Sequence, residues 1–120
     1  MSSKSRAKGT RWESDIVKYL DAMGANVQRL VQTGSSDQGD IRADNFILQA
    51  RDRAQIDLSG SIDDAHQQLA HFQKLHPGEG VDNCAAVIKR RRRGISEGYV
   101  VMTLIDFARV LNILGDTVSS

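Results

Sequence analysis

Residues 40–51, DIRADNFILQAR, constrain this chain more than any other stretch. Phe46-Ile47-Leu48 is apolar and the run then alternates through Gln49, Ala50 and Arg51, which describes a strand buried on at least one face. Asp44-Asn45 ahead of it is a two-residue turn signal, weaker than Asn-Gly, and residues 40–43 suit a short partner strand. The segment predicts a β-hairpin.

The rest of the chain supplies elements around it. Trp12, Ile16, Tyr19, Leu20 and Met23 recur at helical spacing, so a first helix is expected over 11–23 and ended by Gly24. Thr10 and Glu13 fit a capping box at its start. Residues 25–33 predict a first strand, and GSSDQG (34–39) is a turn cluster. Ser61 is placed to cap a second helix with the stripe Ile62, Ala65, Leu69, Phe72 and Leu75, stopped by His76-Pro77-Gly78. Strands follow at 85–88 and 98–104, with a basic loop between them. A last helix starts near Thr103, carries Leu104, Phe107, Val110, Leu111 and Leu114, and closes at Gly115. This order describes a mixed α/β domain in which a three-strand meander is followed by a crossover helix.

A chain of 120 residues holds one core, expected over 10–115, with a basic flexible arm at 1–9 and a frayed tail at 116–120. Its single cysteine, Cys84, excludes an intrachain disulfide and a multi-cysteine zinc site. No apolar run approaches the roughly 18–20 residues of a membrane span. The N-terminal MSSKSRAKGTR has no apolar stretch behind it, so a secretory signal is not expected and a reduced cytoplasmic setting is.

The formal charge of +1 hides a segregation. Lys4, Arg6, Lys8 and Arg11, with Lys89, Arg90, Arg91, Arg92 and Arg93, account for nine of the sixteen bases. Outside residues 1–12 and 89–93, the remaining 103 residues carry seven bases against fifteen acids. A solvated tail and a solvated loop would account for this. Five consecutive bases repel one another, however, and a polyanion such as nucleic acid is the partner that rewards them.

With the turn at 44–45, Asp40 falls roughly opposite Gln49, and Gln49 and Arg51 project from one face. Spacing alone shows only that the three converge; an exposed polar face on a hairpin fits as well. Other polar residues have plainer readings. His66, His71 and His76 are five apart, about 140° per step on a helix, and do not share a face for a metal. Asp63 and Asp64 suit a helix dipole, Gln67 and Gln68 either reach the cleft or form a solvated helix face, and Cys84 suits a core position. Arg53 and Asp57 either extend a cleft or pair with each other.

GDI (39–41), a short turn and FILQAR (46–51), behind a helix bearing Glu13, resemble the PD-(D/E)xK nuclease motif. The element order is similar to the αβββαβ core of restriction-endonuclease-like folds, a mixed central sheet flanked by helices. Within that superfamily the chain looks most like the small Holliday-junction resolvases of archaea and bacterial viruses, whose Ser/Gly-rich loop corresponds here to GSSDQGD (34–40). The likeness spans about residues 8–112.

The resemblance implies a catalytic set of Asp40, Gln49, Arg51, Glu13 and Ser35. Asp40, Glu13 and Gln49 would bind Mg²⁺ (or Mn²⁺), although Glu13 reads equally as half of the capping box. Ser35 or Ser36 would approach the scissile phosphate, and Lys8, Arg11, Ser36 and residues 89–93 would hold DNA. Two positions depart from the motif: Gln49 stands for the usual acid and Arg51 for the usual lysine. A Gln carbonyl still ligates a hard cation. Arginine, with a pKa above about 12, stabilises charge but is no general base.

The expected function is a metal-dependent endonuclease of branched DNA, working as a homodimer in a bacterial or phage-infected cell. The alternative is a catalytically weakened or inactive DNA-binding or regulatory module of the same fold. A restriction-type or damage-type nuclease is a third reading.

Overall fold

The computed structural model describes residues 3–30 and 40–119, with side chains over 11–30 and 40–115. The chain forms helix α1 (Ser3–Ala22) and strands β1 (Val27–Arg29), β2 (Ile41–Ala43) and β3 (Phe46–Arg51). Helix α2 (Leu58–Leu75), strand β4 (Asn83–Ile88), a 3₁₀ turn (Ile95–Glu97), strand β5 (Tyr99–Val101) and helix α3 (Leu104–Ser119) follow. The order of elements is the expected one.

One mixed sheet runs β1-β2-β3-β4-β5. Its neighbours are antiparallel except β3 and β4, which run parallel, and a parallel pair needs the crossover that α2 provides. The hairpin of β2 and β3 turns at Asp44, whose φ of +50° is a left-handed conformation that aspartate tolerates better than most residues.

Alternation along β3 divides the core. Leu48 packs with Trp12, Ile16, Ile41, Ala43, Ala85 and Val87 on the α1 side. Ile47 packs with Ala65, Phe72, Val81 and Cys84 on the α2 side. β4 is covered on both faces, so all six of its residues are buried, which is why residues 84–88 are apolar without alternating. Trp12 fixes α1 to the sheet: its indole N–H donates to the Val87 carbonyl at 3.0 Å. Gly98 closes over that ring, where a β-carbon would stand 3.1 Å from Trp12.

The differences from expectation fall at element ends. α1 starts at Ser3, not near residue 11, so Thr10 lies within the helix and the Thr10/Glu13 pair is not its N-terminal box. The same helical backbone takes in residues assigned to the basic arm. α2 is capped by Asp57 rather than Ser61: the Asp57 carboxylate accepts the Gly60 N–H at 2.9 Å, and Ser61 is buried inside the helix. Gly60 is a requirement of that cap, because a β-carbon there would meet Asp57 Oδ2 at 2.3 Å.

The strand expected over 25–33 is confined to β1 among the described residues, and β4 gains Asn83 and Cys84. β5 stops short of residue 104 because Thr103 already caps α3, accepting the Asp106 N–H at 3.3 Å. α3 continues past Gly115.

Candidate functional site

The hairpin register pairs Ile41 with Leu48, which carries Asp40 beside Gln49. Asp40 Oδ2 accepts the Ala50 N–H at 2.8 Å and is thereby tied to the strand that bears the other two residues. Gln49 and Arg51 follow Ile47 at two-residue steps and face α2. The structure thus brings Asp40, Gln49 and Arg51 together.

Helix α2 completes this face with residues read differently in the sequence. Gln68 is 7% exposed rather than solvated, and its amide packs against that of Gln49. The Gln49 amide, 5% exposed, satisfies both neighbours only with its nitrogen toward Gln68 and its oxygen toward the Arg51 guanidinium, the orientation its hydrogen bonding assigns. Arg51 also reaches Asp64 Oδ2 at 2.8 Å, so Asp64 serves this arginine as well as the helix dipole. The buried amides and the guanidinium satisfy one another, as buried polar groups must.

Glu13 lies on α1, in the layer across the sheet, and pairs with Arg29 at 3.4 Å. Of the three expected metal ligands, Gln49 and Glu13 therefore have their oxygens engaged by arginines. An Mg²⁺ or Mn²⁺ ion held by this set would have to displace both arginines, and Glu13 stands in the α1 layer whereas Gln49 faces α2. Ser35 and Ser36 lie outside the described residues, as does the side chain of Lys8; Arg11 is exposed on α1.

The basic run starts at the same end of the sheet. The Lys89 N–H donates to the Arg51 carbonyl at 3.0 Å, so the run leaves β4 directly beside the end of β3. Lys89 Nζ sits 6.0 Å from the Trp12 ring and 3.9 Å from Asp52. The Arg90 guanidinium lies 4.8 Å from the Tyr99 ring, and Arg93 pairs with Glu97 at 3.4 Å. Arg91 and Arg92 make no ion pair among the described residues. With Arg53, Lys89, Asp52 and Ala54 they line a cleft of about 290 Å³. Arg53 also lines the small pocket at Arg51 and Asp57, so its side chain borders both cavities. Four bases against one acid give this cleft a positive charge.

A second constellation had no signal in residue spacing. His66, Cys84 and Asp106 each present a ligand atom within 4.8 Å of the others, a cluster capable of coordinating a metal ion. His66 Nε2 is 2.7 Å from Asp106 Oδ2. His71 and His76 take no part among the described residues; His76 pairs with Glu79 at 3.2 Å. Cys84 does occupy the expected core position, and burial, then the Asp106 charge, pushes its thiol up to about 11. Burial alone would raise the Asp106 carboxyl. Hydrogen bonds from His66 and Thr103 and the charges of His66 and Arg109 outweigh it and hold the group below its usual 3.8.

No helix among the described residues is long and apolar enough to cross a membrane. A scan against protein-family models finds no match, and a comparison with curated proteins finds none. The chain is a mixed β-sheet flanked by α-helices, consistent with a restriction-endonuclease-like core, and it carries a buried His/Cys/Asp cluster.

Proposed function

We propose that this chain acts on branched DNA as an endonuclease similar to the Holliday-junction resolvases of the PD-(D/E)xK superfamily. The observation that carries the reading is the alignment of Asp40, Gln49 and Arg51 on one sheet face, joined through Arg53 to the basic cleft. Phosphates along two DNA arms suit Lys89, Arg91, Arg92 and Arg53, whose contacts with a backbone need no base sequence. Arg51 offers two parallel donors to a phosphate oxygen. Its present partner Asp64 is 53% exposed, and such pairs contribute only about 0–1 kcal/mol, so a phosphate competes for the guanidinium.

Junction resolution calls for two symmetric nicks, and a homodimer supplies two such faces. The apolar side of α3 supports this assembly: Leu104, Ile105 and Leu111 are more than half exposed, and no described side chain of α3 belongs to either core cluster.

A second reading, a DNA-binding module of the same fold that does not cut, is favoured by the Gln49–Arg51 contact. It places a fixed cation where the superfamily motif has an acidic ligand.

Incubation of a labelled four-way junction with Mg²⁺ or Mn²⁺ separates the two. The enzyme reading expects nicks that disappear in Asp40→Ala. Binding without nicks in any divalent metal leaves the second reading, and absence of binding removes both.

A further inference from the structure

We propose that His66, Cys84 and Asp106 bind one transition-metal ion of the Zn²⁺ class, which fastens α3 to the sheet and to α2. Three elements converge to make the site. The β4–β5 register ends with Ala86 opposite Val101, two residues from Cys84 on β4 and three from the start of α3. The first turn of α3 therefore lands beside the thiol, with Asp106 pointing inward and 4% exposed. His66 reaches the same point from α2.

The donor set selects the ion. One sulfur, one imidazole nitrogen and one carboxylate oxygen suit Zn²⁺ or Co²⁺, whereas Mg²⁺ prefers an all-oxygen octahedron. The ligand atoms lie within 4.8 Å of one another, against roughly 3.2–3.8 Å along the edges of a tetrahedron with ordinary zinc bond lengths. A small closure of side chains is enough.

An outer shell is already in place. The Thr103 hydroxyl donates to Asp106 Oδ2 at 2.8 Å and Arg109 to Oδ1 at 3.3 Å, which orients the carboxylate. The His66 side chain is 40% exposed and gives the ion a way in. The thiol proton leaves to solvent as the metal–sulfur bond forms, and the ion replaces the proton held between His66 Nε2 and Asp106 Oδ2, which is released likewise.

A nucleophilic Cys–His–Asp arrangement is the competing reading of the same residues. Cys84 is 1% exposed, so no substrate reaches it. A structural ion also answers a need of the fold, since the described side chains of α3 contribute nothing to the two apolar clusters that hold the other helices.

The site is separate from the DNA face. Cys84 pairs with Ile47, and Arg51 with Ile88, four residues or about 13 Å further along the sheet. Success or failure here is therefore distinguishable from the outcome of junction binding.

The test is titration of Co²⁺ into the full, chelator-treated chain. A near-ultraviolet thiolate-to-cobalt band should saturate at one equivalent, be erased by Zn²⁺ and be unaffected by excess Mg²⁺. Cys84→Ser should abolish the band, and His66→Gln should weaken binding by more than about tenfold. Zn²⁺ should raise the melting temperature of the unaltered chain only. Absence of the band at stoichiometric Co²⁺ overturns the proposal, as does its persistence in Cys84→Ser. Should Cys84→Ser not fold, His66→Gln decides: undiminished cobalt affinity overturns the proposal.

Discussion

Arg51 Nη2 stands 2.8 Å from Asp64 Oδ2, tying the last residue of β3 to the crossover helix at the proposed phosphate site. The two partners are unequal: the arginine side chain is 17% exposed and the aspartate 53%. Asp64→Ala is expected to change the unfolding free energy by less than about 1 kcal/mol. Arg51→Ala leaves the buried Gln49 oxygen without its donor and should cost about 1–3 kcal/mol. Urea unfolding of the two variants checks this, and equal losses would contradict the asymmetry.

The Trp12 indole and the Val87 carbonyl make the link between the first helix and the centre of the sheet. Trp12→Phe keeps most of the apolar area but strands a buried acceptor, so a loss of about 1–3 kcal/mol is expected. Gly98→Ala presses a methyl into the same ring at 3.1 Å and should also cost about 1–3 kcal/mol by overpacking. The double variant tests the shared origin. Strict additivity of the two losses would argue against it.

Asp106 gives the fold an acid-sensitive joint. Its carboxyl is held below the usual 3.8 in the folded chain, so its stabilisation is present above the unfolded value and is lost as the pH falls through the folded one. In chelator-treated protein, Asp106→Asn should lower stability at neutral pH and flatten the decline below about pH 4. Urea midpoints across that range provide the measurement; two parallel curves would show that the carboxylate has no such role.

The exposed apolar side of α3 predicts a concentration-dependent dimer. Leu111 is 51% exposed on a helix whose described side chains lie outside both core clusters. Leu111→Glu should shift the mass seen by light scattering from two chains to one, with helix content unchanged. A single-chain mass for the unaltered protein would remove the dimer.

The hairpin was legible because its pattern is local: the 44–45 turn and the alternation over 46–51 leave one register that buries Ile47 and Leu48. Helix starts were less so. A Ser/Thr with Glu three residues on also occurs inside helices, as at Thr10, and Asp57, read as a cleft residue or a partner of Arg53, is the cap of α2. Gln68 and Asp64 could not be separated from solvated neighbours until α2 was docked on β3.

The His66, Cys84 and Asp106 cluster has no spacing signature at all, since His66 and Asp106 are 40 residues apart and meet only through sheet register. One local hint was present. Thr103 three residues before Asp106 at a helix start is a capping pattern that turns the aspartate back toward its own N-terminus.

The basic surface beside Arg51 is the feature on which both readings of function depend, and one titration tests it most directly. Fluorescence anisotropy would compare a labelled four-way junction with a linear duplex of equal length over a range of salt, using the unaltered chain and the Arg91→Ala/Arg92→Ala double variant. The junction should bind more tightly than the duplex, and the double variant should reduce the salt slope by about two with little change in stability. Equal affinity for the two DNAs, or a salt slope the double variant leaves unchanged, would contradict a junction grip built on this loop.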